Sequence, residues 1–129
     1  MRKAIGLSLI GIGLVFSQSV WAETQTSDDG LVWPEKDNGR EMTWLAARDY
    51  CEYLSFAGAD DWRLPSIDEL KNAYNSSSLK PFFASKAYWS STLNEEDPDH
   101  AWFVYFNNGG VSYDVRTSKH SVRCVRGEN

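Results

Sequence analysis

The sequence predicts an α+β domain, with helices in the first half of the chain and an antiparallel sheet in the second. Apolar residues recur at helical spacing from Trp44 onward. A capping-box motif at Ser66 and Glu69 starts a second helix. After residue 100 the apolar pattern becomes that of strands joined by a tight turn. Helices followed by strands, rather than alternating with them, indicate the α+β class.

The first 22 residues have the pattern of a secretory signal peptide. Arg2 and Lys3 precede an apolar run over residues 4–16, and a small-residue site ends at Ala22. The run is interrupted by glycine and is too short to span a bilayer comfortably. We therefore predict cleavage after Ala22, no integral membrane anchor after cleavage, and export to the periplasm or beyond.

The predicted mature chain is short and acidic. Loss of Arg2 and Lys3 leaves 11 basic residues against 18 acidic ones, a net charge of −7. This charge disfavours nucleic acid and other polyanionic partners. The basic residues within 116–126 alternate along a predicted strand and are interpreted as a solvated face. We assign residues 23–29, which contain no aliphatic side chain, to a flexible segment, and residues 30–129 to a single domain.

The first elements of the domain are a strand, a turn and a helix. Residues 30–34 form a short strand that ends at a proline, and residues 37–40 form a turn. Thr43 is a candidate N-cap for the first helix, which we expect to end before Gly58. The buried side of this helix is predicted to consist of Trp44, Ala47, Tyr50, Cys51 and Leu54.

The most distinctive stretch, residues 60–70, joins a large aromatic residue, a rigid turn and a helix start. Its proline favours an extended approach, and its serine and glutamate fit a capping box at the start of a helix over residues 67–74. Arg63 should be partly buried and bound to a carboxylate or to backbone carbonyls, because an unpaired buried charge is costly. We interpret this structural motif as architecture; it consists of Trp62, Arg63, Leu64, Pro65, Ser66 and Glu69.

The C-terminal third reads as a sheet. Residues 101–106 are apolar on both faces, as in a central strand, and residues 107–110 form a hairpin turn. Residues 111–115 alternate as in a half-buried antiparallel strand, and residues 121–125 form a final strand. Aromatic faces also bind sugars. We assign Trp44, Trp62, Trp89 and Trp102 to the core and leave Tyr105 and Tyr113, beside the turn, unassigned.

The two cysteines, Cys51 and Cys124, lie in the mature part of the chain. An even count in an exported protein favours a disulfide, which would tie the first helix to the last strand. The alternative is a thiol pair that binds copper or performs redox chemistry. That alternative lacks a C-x-x-C spacing or an adjacent histidine.

An acidic loop over residues 94–100 is the candidate ligand site. Clustered carboxylates and side-chain carbonyls are ligands of Ca²⁺, and a solvated loop without metal is the alternative. A ligand surface would lie where this loop, the 107–110 turn and the 76–78 loop converge. The candidate ligand or calcium residues are Asn94, Glu95, Glu96, Asp97, Asp99, Asn107 and Asn108.

No catalytic residue is predicted. His100 and His120 are the only histidines, and neither has nucleophile–base or metal-ligand spacing. We therefore expect a protein that is not an enzyme and that has no cofactor, unless the acidic loop binds calcium. A copper or thiol oxidase is the remaining enzymatic alternative, and it would need Cys51 and Cys124 as free thiols.

Six segments of the chain form a recognisable set: Gly30-Leu31-Val32-Trp33, Thr43-Trp44 with Tyr50-Cys51, Asp61-Trp62-Arg63-Leu64-Pro65 with Glu69-Leu70, Tyr88-Trp89-Ser90-Ser91-Thr92, residues 101–109, and Val122-Arg123-Cys124-Val125-Arg126. In this order they resemble the Lcl C-terminal domain family, named after the terminal domain of Legionella collagen-like adhesins. The resemblance implies a fold similar to C-type lectins and formylglycine-generating enzymes, with two helices on a twisted, loop-rich antiparallel sheet. It also implies export and a terminal binding role. The chain departs from the adhesins in its acidic charge and in having no collagen-like repeat.

Two functional classes follow from these observations. The first is an exported, non-catalytic binding module for a glycan or a protein. The second is a small structural or accessory subunit of an envelope assembly. The oligomeric state and the identity of the ligand are not encoded in any motif of the sequence.

Overall fold

The computed structural model describes residues 23–128, so the predicted signal peptide lies outside the described residues. Two α-helices are present in this range, α1 (Trp44–Glu52) and α2 (Ile67–Tyr74), with a short 3-10 helix at Lys80–Phe82. These helices and two sheets confirm the predicted α+β class. The strands are β1 (Thr24–Thr26), β2 (Val32–Pro34), β3 (Glu41–Met42), β4 (Ala87–Leu93), β5 (His100–Tyr105), β6 (Val111–Val115) and β7 (His120–Ser121).

The strands form a small sheet and a main sheet. β1 and β2 make an antiparallel pair, and the main sheet has the order β3-β7-β4-β5-β6. Its pairings are antiparallel except for β4 with β7, which run parallel where Tyr88 lies opposite Ser121. The main sheet is therefore mixed, because β7 returns from the far edge and inserts between β3 and β4.

Residues 23–29, predicted to be flexible, instead contain β1. Gln25 lies opposite Trp33 in β2, and the connecting turn is closed by a 2.9 Å hydrogen bond from the Gly30 N–H to the Ser27 carbonyl. Backbone pairing needs no aliphatic side chain, so the polar composition of the segment was a misleading signal.

Both helices begin at the predicted caps. Thr43 Oγ1 accepts a hydrogen bond from the Ala46 N–H at the start of α1. At α2, Ser66 and Glu69 each accept a hydrogen bond from the other's backbone N–H, which completes the capping box. Among residues 23–128, no helix has the length and apolar character needed to cross a membrane.

The hydrophobic core has two halves, one on each face of the main sheet. Tyr88 pairs across the strands with Val104, and Trp89 pairs with Phe103. Because adjacent residues of a strand point to opposite faces, these pairs belong to different halves. The α2 half contains Leu31, Trp33, Leu70, Ala73, Leu79, Phe83, Tyr88, Val104, Phe106 and Val125. The α1 half contains Trp44, Ala47, Cys51, Trp62, Leu64, Trp89, Ala101, Phe103, Val122 and Cys124.

A buried disulfide between Cys51 and Cys124 closes the α1 half of the core. Their Cα atoms are 5.5 Å apart, and the bridge spans 73 positions of the sequence. Both residues are at most 2 % exposed, and no described cysteine is free. The predicted bridge is confirmed, and it connects α1 to the segment that follows β7.

Three strand predictions need correction. Trp102, assigned to the core, is only half-buried, whereas the other three tryptophans of that prediction are buried. Val111, Tyr113 and Val115 are 42, 48 and 37 % exposed, because β6 is the last strand of the sheet and α2 packs on β4 and β5. The final strand ends at Ser121, and an isolated bridge between Arg63 and Val125 continues beyond it.

Replacing both cysteines by alanine should lower the free energy of unfolding by about 4 kcal/mol. The unfolded chain then regains the entropy of an open loop of 73 positions. Urea unfolding of the oxidised protein and of the double variant measures this difference. The oxidised protein treated with a reductant is the matched control, and a loss below about 1 kcal/mol in both would contradict the expectation.

Candidate functional site

The structural motif around Arg63 clamps the start of α2 to the C-terminal segment. Arg63 Nη1 and Nη2 each donate to one carboxylate oxygen of Glu69 at 2.8 Å, and Nη2 also donates to the Gly127 carbonyl at 2.9 Å. The Arg63 backbone exchanges two hydrogen bonds with Val125, at 2.8 and 2.9 Å. The guanidinium thus has a carboxylate and a backbone carbonyl as partners, as the sequence led us to expect.

Glu69 is the buried member of this pair. Its side chain is 1 % exposed, while that of Arg63 is 36 % exposed. Burial by itself would raise the pKa of Glu69, but the hydrogen bonds from Arg63 and from the Ser66 N–H outweigh it and hold the pKa below the ordinary value of 4.5. The carboxylate is therefore ionised, and three hydrogen bonds to its two oxygens give it a structural role.

A second buried network holds the 37–40 turn against β4. The Tyr88 hydroxyl donates to Asp37 Oδ2 and the Gly39 N–H donates to Asp37 Oδ1, both at 2.7 Å. Burial opposes ionisation of Asp37, yet these donors and the cations of Lys86 and Arg123 lower its pKa. Burial and the Asp37 carboxylate together raise the pKa of Tyr88 to about 12. The network is self-contained and structural.

Arg123 belongs to this network and was not expected there. Sequence reasoning placed it on a solvated face, but it is 2 % exposed. Its guanidinium donates to the carbonyls of Pro34 at 3.0 Å and Phe82 at 2.9 Å, and lies 4.3 Å from the centre of the Phe83 ring. Alternation along a strand identifies which residues share a face, but it does not identify the elements that cover that face.

The acidic loop joins β4 to β5 and folds onto itself. Asn94 accepts hydrogen bonds from the Glu96 N–H through its side chain and from the Asp97 N–H through its backbone. The side chains of residues 95–99 are exposed. Within residues 23–128, no group of three or more His, Cys, Asp and Glu side chains is placed to hold a metal ion. Calcium binding by this loop therefore stays a prediction.

The structure does not bring the acidic loop and Asn107 with Asn108 together. They lie at opposite ends of β5, about 17 Å apart at about 3.3 Å per residue. Asn108 Oδ1 accepts a hydrogen bond from the Gly110 N–H within the turn. A Cβ atom at Gly109 would lie 2.5 Å from the Tyr74 ring, so the turn packs against the end of α2. Of the three loops expected to converge, the acidic loop is therefore separated from the turn, and the turn packs on Tyr74 of α2, the helix that precedes the 76–78 loop.

An exposed aromatic face lies where β5 and β6 pair. Trp102 lies opposite Tyr113, and His100 lies opposite Val115. The Tyr113 ring meets the Trp102 and His100 rings edge to face, with centroids 5.0 and 5.6 Å apart. Three of the six large hydrophobic residues exposed in the described chain lie on this one strand face. We call this surface the aromatic face; it consists of His100, Trp102, Val111, Tyr113 and Val115.

The acidic loop borders the aromatic face at one end. His100 follows the loop directly, and its Nδ1 lies 2.9 Å from Asp97 Oδ2 without the geometry of a hydrogen bond. The Arg116 N–H donates to the Asp99 carbonyl at 2.8 Å, so β6 ends beside the loop. Aromatic rings and exposed carboxylates therefore lie next to each other, which offers apolar contact and hydrogen-bond acceptors to one ligand.

A separate cleft of about 460 Å³ lies over the disulfide. Tyr50, Leu54 and Phe56 form its apolar side, and Glu35 and Asp37 line the polar side. Both carboxylate oxygens of Asp37 are already engaged by the buried network. Apart from Cys124, no residue predicted as a site lines this cleft, and no sequence motif marks it. We take the aromatic face as the better candidate, because Tyr113 is exposed whereas Tyr50 and Phe56 of the cleft are half-buried.

The fold and these surfaces define a small, disulfide-bonded α+β domain whose sheet is covered on both faces except at one edge. A model of the Lcl C-terminal domain matches residues 22–126, and the chain belongs to this family. The comparison with curated proteins gave no match. The resemblance drawn from the sequence motifs is thereby confirmed, while the likeness to C-type lectins stays a prediction.

The Arg63→Ala variant should be less stable by about 2 to 3 kcal/mol, because it leaves the buried Glu69 carboxylate without its charged partner. Arg63 is partly exposed, so solvent screens the ion pair and keeps the loss low for a broken buried pair. Thermal unfolding should show a melting temperature lower by roughly 10 °C. Arg48→Ala, which removes exposed contacts with Asp49 and Glu52, should change stability by less than about 1 kcal/mol. An unchanged melting temperature with lost ligand binding would identify Arg63 as a site residue instead.

Stability should fall in acid because the pKa of Glu69 is lowered in the folded state. The contribution of this group is complete above the ordinary value of 4.5 and is lost as the pH falls through the lower folded-state pKa. Urea unfolding over a series of pH values from neutral to acid measures the slope. The Glu69→Gln variant should give a flatter profile, and Asp68→Asn, at an exposed neighbouring carboxylate, should match the wild type. Equal slopes for all three proteins would refute this assignment.

Proposed function

We propose that the protein is an exported, non-catalytic module that binds a glycan on the aromatic face. The observation that carries this proposal is the open surface on β5 and β6, where Tyr113 is 48 % exposed beside the half-buried Trp102. A monomeric domain gains no stability from leaving large rings in water, so such a surface marks an interaction site.

The chemistry of the face favours a sugar. Trp and Tyr rings present apolar faces to the C–H groups of a pyranose, and the Tyr113 hydroxyl is a polar tip within reach of its hydroxyls. The carboxylate of Asp97, next to His100 at the end of the face, is an acceptor for further hydroxyl or amino groups. The predicted mature charge of −7 disfavours sulfated or uronic acid polymers. The ligand class is therefore a neutral or amino-sugar glycan.

Export is supported by two independent features. The leader pattern of residues 1–22 is that of a secreted protein. The buried disulfide between Cys51 and Cys124 persists in oxidising compartments such as the periplasm. We propose that the domain is released on the outer side of the inner membrane, where glycans are available.

The absence of catalysis is supported by the state of the reactive side chains. Both cysteines are in the disulfide. His120 Nε2 lies 2.9 Å from Asp114 Oδ2, and its ring stacks on Phe103 at 4.5 Å. The His120–Asp114 pair thus holds β7 near β6, and it lies on the side of the sheet opposite the aromatic face. A binding role requires none of these groups.

Tyr113→Ala should weaken binding of the recognised neutral glycan about tenfold, because the variant removes one of the two stacking rings. A glycan array selects the glycan, and isothermal titration measures its affinity. Tyr53→Ala, at a position 84 % exposed on the opposite side of the domain core, is the matched control and should bind normally. Equal losses in both variants, or binding confined to sulfated glycans, would overturn the proposal.

The same titrations with calcium or with a chelator test the acidic loop. We expect equal affinities, because among residues 23–128 no three His, Cys, Asp or Glu side chains are placed together to hold a metal ion. A role as an accessory subunit is the second candidate, and the two exposed valines of the aromatic face favour it, since valine contributes more to protein contacts than to sugar binding. Stoichiometric co-purification with an envelope protein, and no glycan signal, would favour that role.

A further inference from the structure

We propose that the protein forms a two-fold symmetric dimer in which β6 pairs with β6 of a second copy. β6 is the terminal strand of the main sheet, and within residues 23–128 it pairs only with β5. An edge strand exposes a row of backbone N–H and C=O groups that other strands can pair with. The arrangement of these groups on β6 fits a second copy of the same strand.

The ladder between β5 and β6 determines which groups of β6 point outward. The Tyr105 N–H donates to the Gly110 carbonyl, and the Arg116 N–H donates to the Asp99 carbonyl, both at 2.8 Å. Hydrogen-bonded positions alternate along an antiparallel pair, so Ser112 and Asp114 also bond inward to β5. The N–H and C=O groups of Val111, Tyr113 and Val115 therefore point away from the sheet.

One end of this outer edge is already closed. The Val115 N–H donates to Asp114 Oδ1 at 2.8 Å, and the Val115 carbonyl accepts a hydrogen bond from the Ser118 N–H at 2.9 Å. Within the described part of the chain, neither Val111 nor Tyr113 has such a partner on the outer side. The open edge thus consists of two donors and two acceptors on two residues.

A two-fold axis through Ser112 pairs all of these groups. In this antiparallel register, Val111 of one copy lies opposite Tyr113 of the other, and such a pair exchanges both of its hydrogen bonds. The symmetry repeats the pair on the other side of the axis, which gives four intermolecular hydrogen bonds. No register that includes Val115 can do so, because the outer groups of Val115 are occupied.

Charge and side chains also match in this register. Asp114 lies opposite Gly110 of the second copy and Arg116 lies opposite Asn108, so no carboxylate on β6 opposes another despite the acidic charge of each chain. Val111 and Tyr113 form apolar cross-strand pairs, which stabilise sheets by about 0.2 to 1 kcal/mol each. This complementarity is what selects a second copy over an unrelated strand.

The dimer would place two aromatic faces on the same side of one continuous sheet. Side chains directly opposite in an antiparallel pair share a face, so Val111 and Tyr113 of both copies lie together. If the aromatic face binds glycan as proposed above, the dimer is bivalent and gains avidity on a surface that carries many copies of the ligand. This consequence rests on the proposed function, whereas the pairing itself does not.

A cysteine at the symmetry axis tests the register. Ser112 of the two copies would form a non-hydrogen-bonded pair with Cα atoms about 4.5 Å apart, which is within the range of about 4.4 to 6.8 Å for a disulfide. Ser112→Cys should therefore become a covalent dimer on mild oxidation. Ser55→Cys, also exposed but located just after α1 and outside the main sheet, is the matched control and should stay largely monomeric. Equal crosslinking of both variants, or of neither, would overturn the proposal.

A proline at the edge tests the hydrogen bonds. Val111→Pro removes an outward N–H and leaves the ladder with β5 intact, and proline is tolerated at the first residue of an edge strand. Light scattering with size exclusion, at protein concentrations up to the solubility limit, should show a wild-type dimer and a proline-variant monomer with a similar melting temperature. A wild-type monomer throughout, or a dimer that persists in the folded variant, refutes the pairing. Because neither readout requires a glycan, failure of the proposed function would leave this test unaffected.

Discussion

The segment after β7 holds the domain together, and the Arg63–Glu69 ion pair is the interaction on which its position depends. Residues 122–127 have almost no regular structure, yet each side of the fold attaches to them. Arg63 bonds to Val125 and Gly127 of this segment, and its ion pair with Glu69 holds the segment at the start of α2. Cys124 attaches the same segment to α1 on the other face of the sheet. The buried charge of the Glu69 carboxylate is tolerated here because both carboxylate oxygens accept hydrogen bonds.

Those attachments determine which parts of the sheet are covered and which are exposed to solvent. β7 and the segment that follows it lie beside β4, and the two helices cover opposite faces near the same strands. Coverage decreases with distance from this centre, so β5 is half covered and β6 is bare on the side of Tyr113. The covered half of the domain is therefore the scaffold, and the β5–β6 edge is the part left exposed.

Local signals in the sequence were sufficient for the starts of both helices, but not for the end of α1 at Glu52 or for the outer strands. A capping box involves residues three apart, so Ser66 and Glu69 could be recognised without knowledge of the rest of the chain. Whether Tyr113 is buried depends on strand order, which is set by pairings between distant segments such as β4 with β7. The same reason explains why Arg123 was placed on a solvated face and why Trp102 was placed in the core. The acidic loop and Asn107 were grouped as candidate calcium ligands by residue type, while a whole strand separates them in space.

The outer edge of β6 is protected at one end and open at the other, and this pattern distinguishes a specific pairing surface from an incidental free edge. Sheet proteins protect free edges with charges, bulges or covering loops, because an open edge invites aggregation. Here the chain does protect the end near Val115, through Asp114 and Ser118. It then leaves the adjoining pair, Val111 and Tyr113, without either device, and places an apolar side chain on both. Because the protection stops halfway along this five-residue strand, the open part of the edge can pair in a single register. Specific association requires such a restriction, whereas general solubility does not.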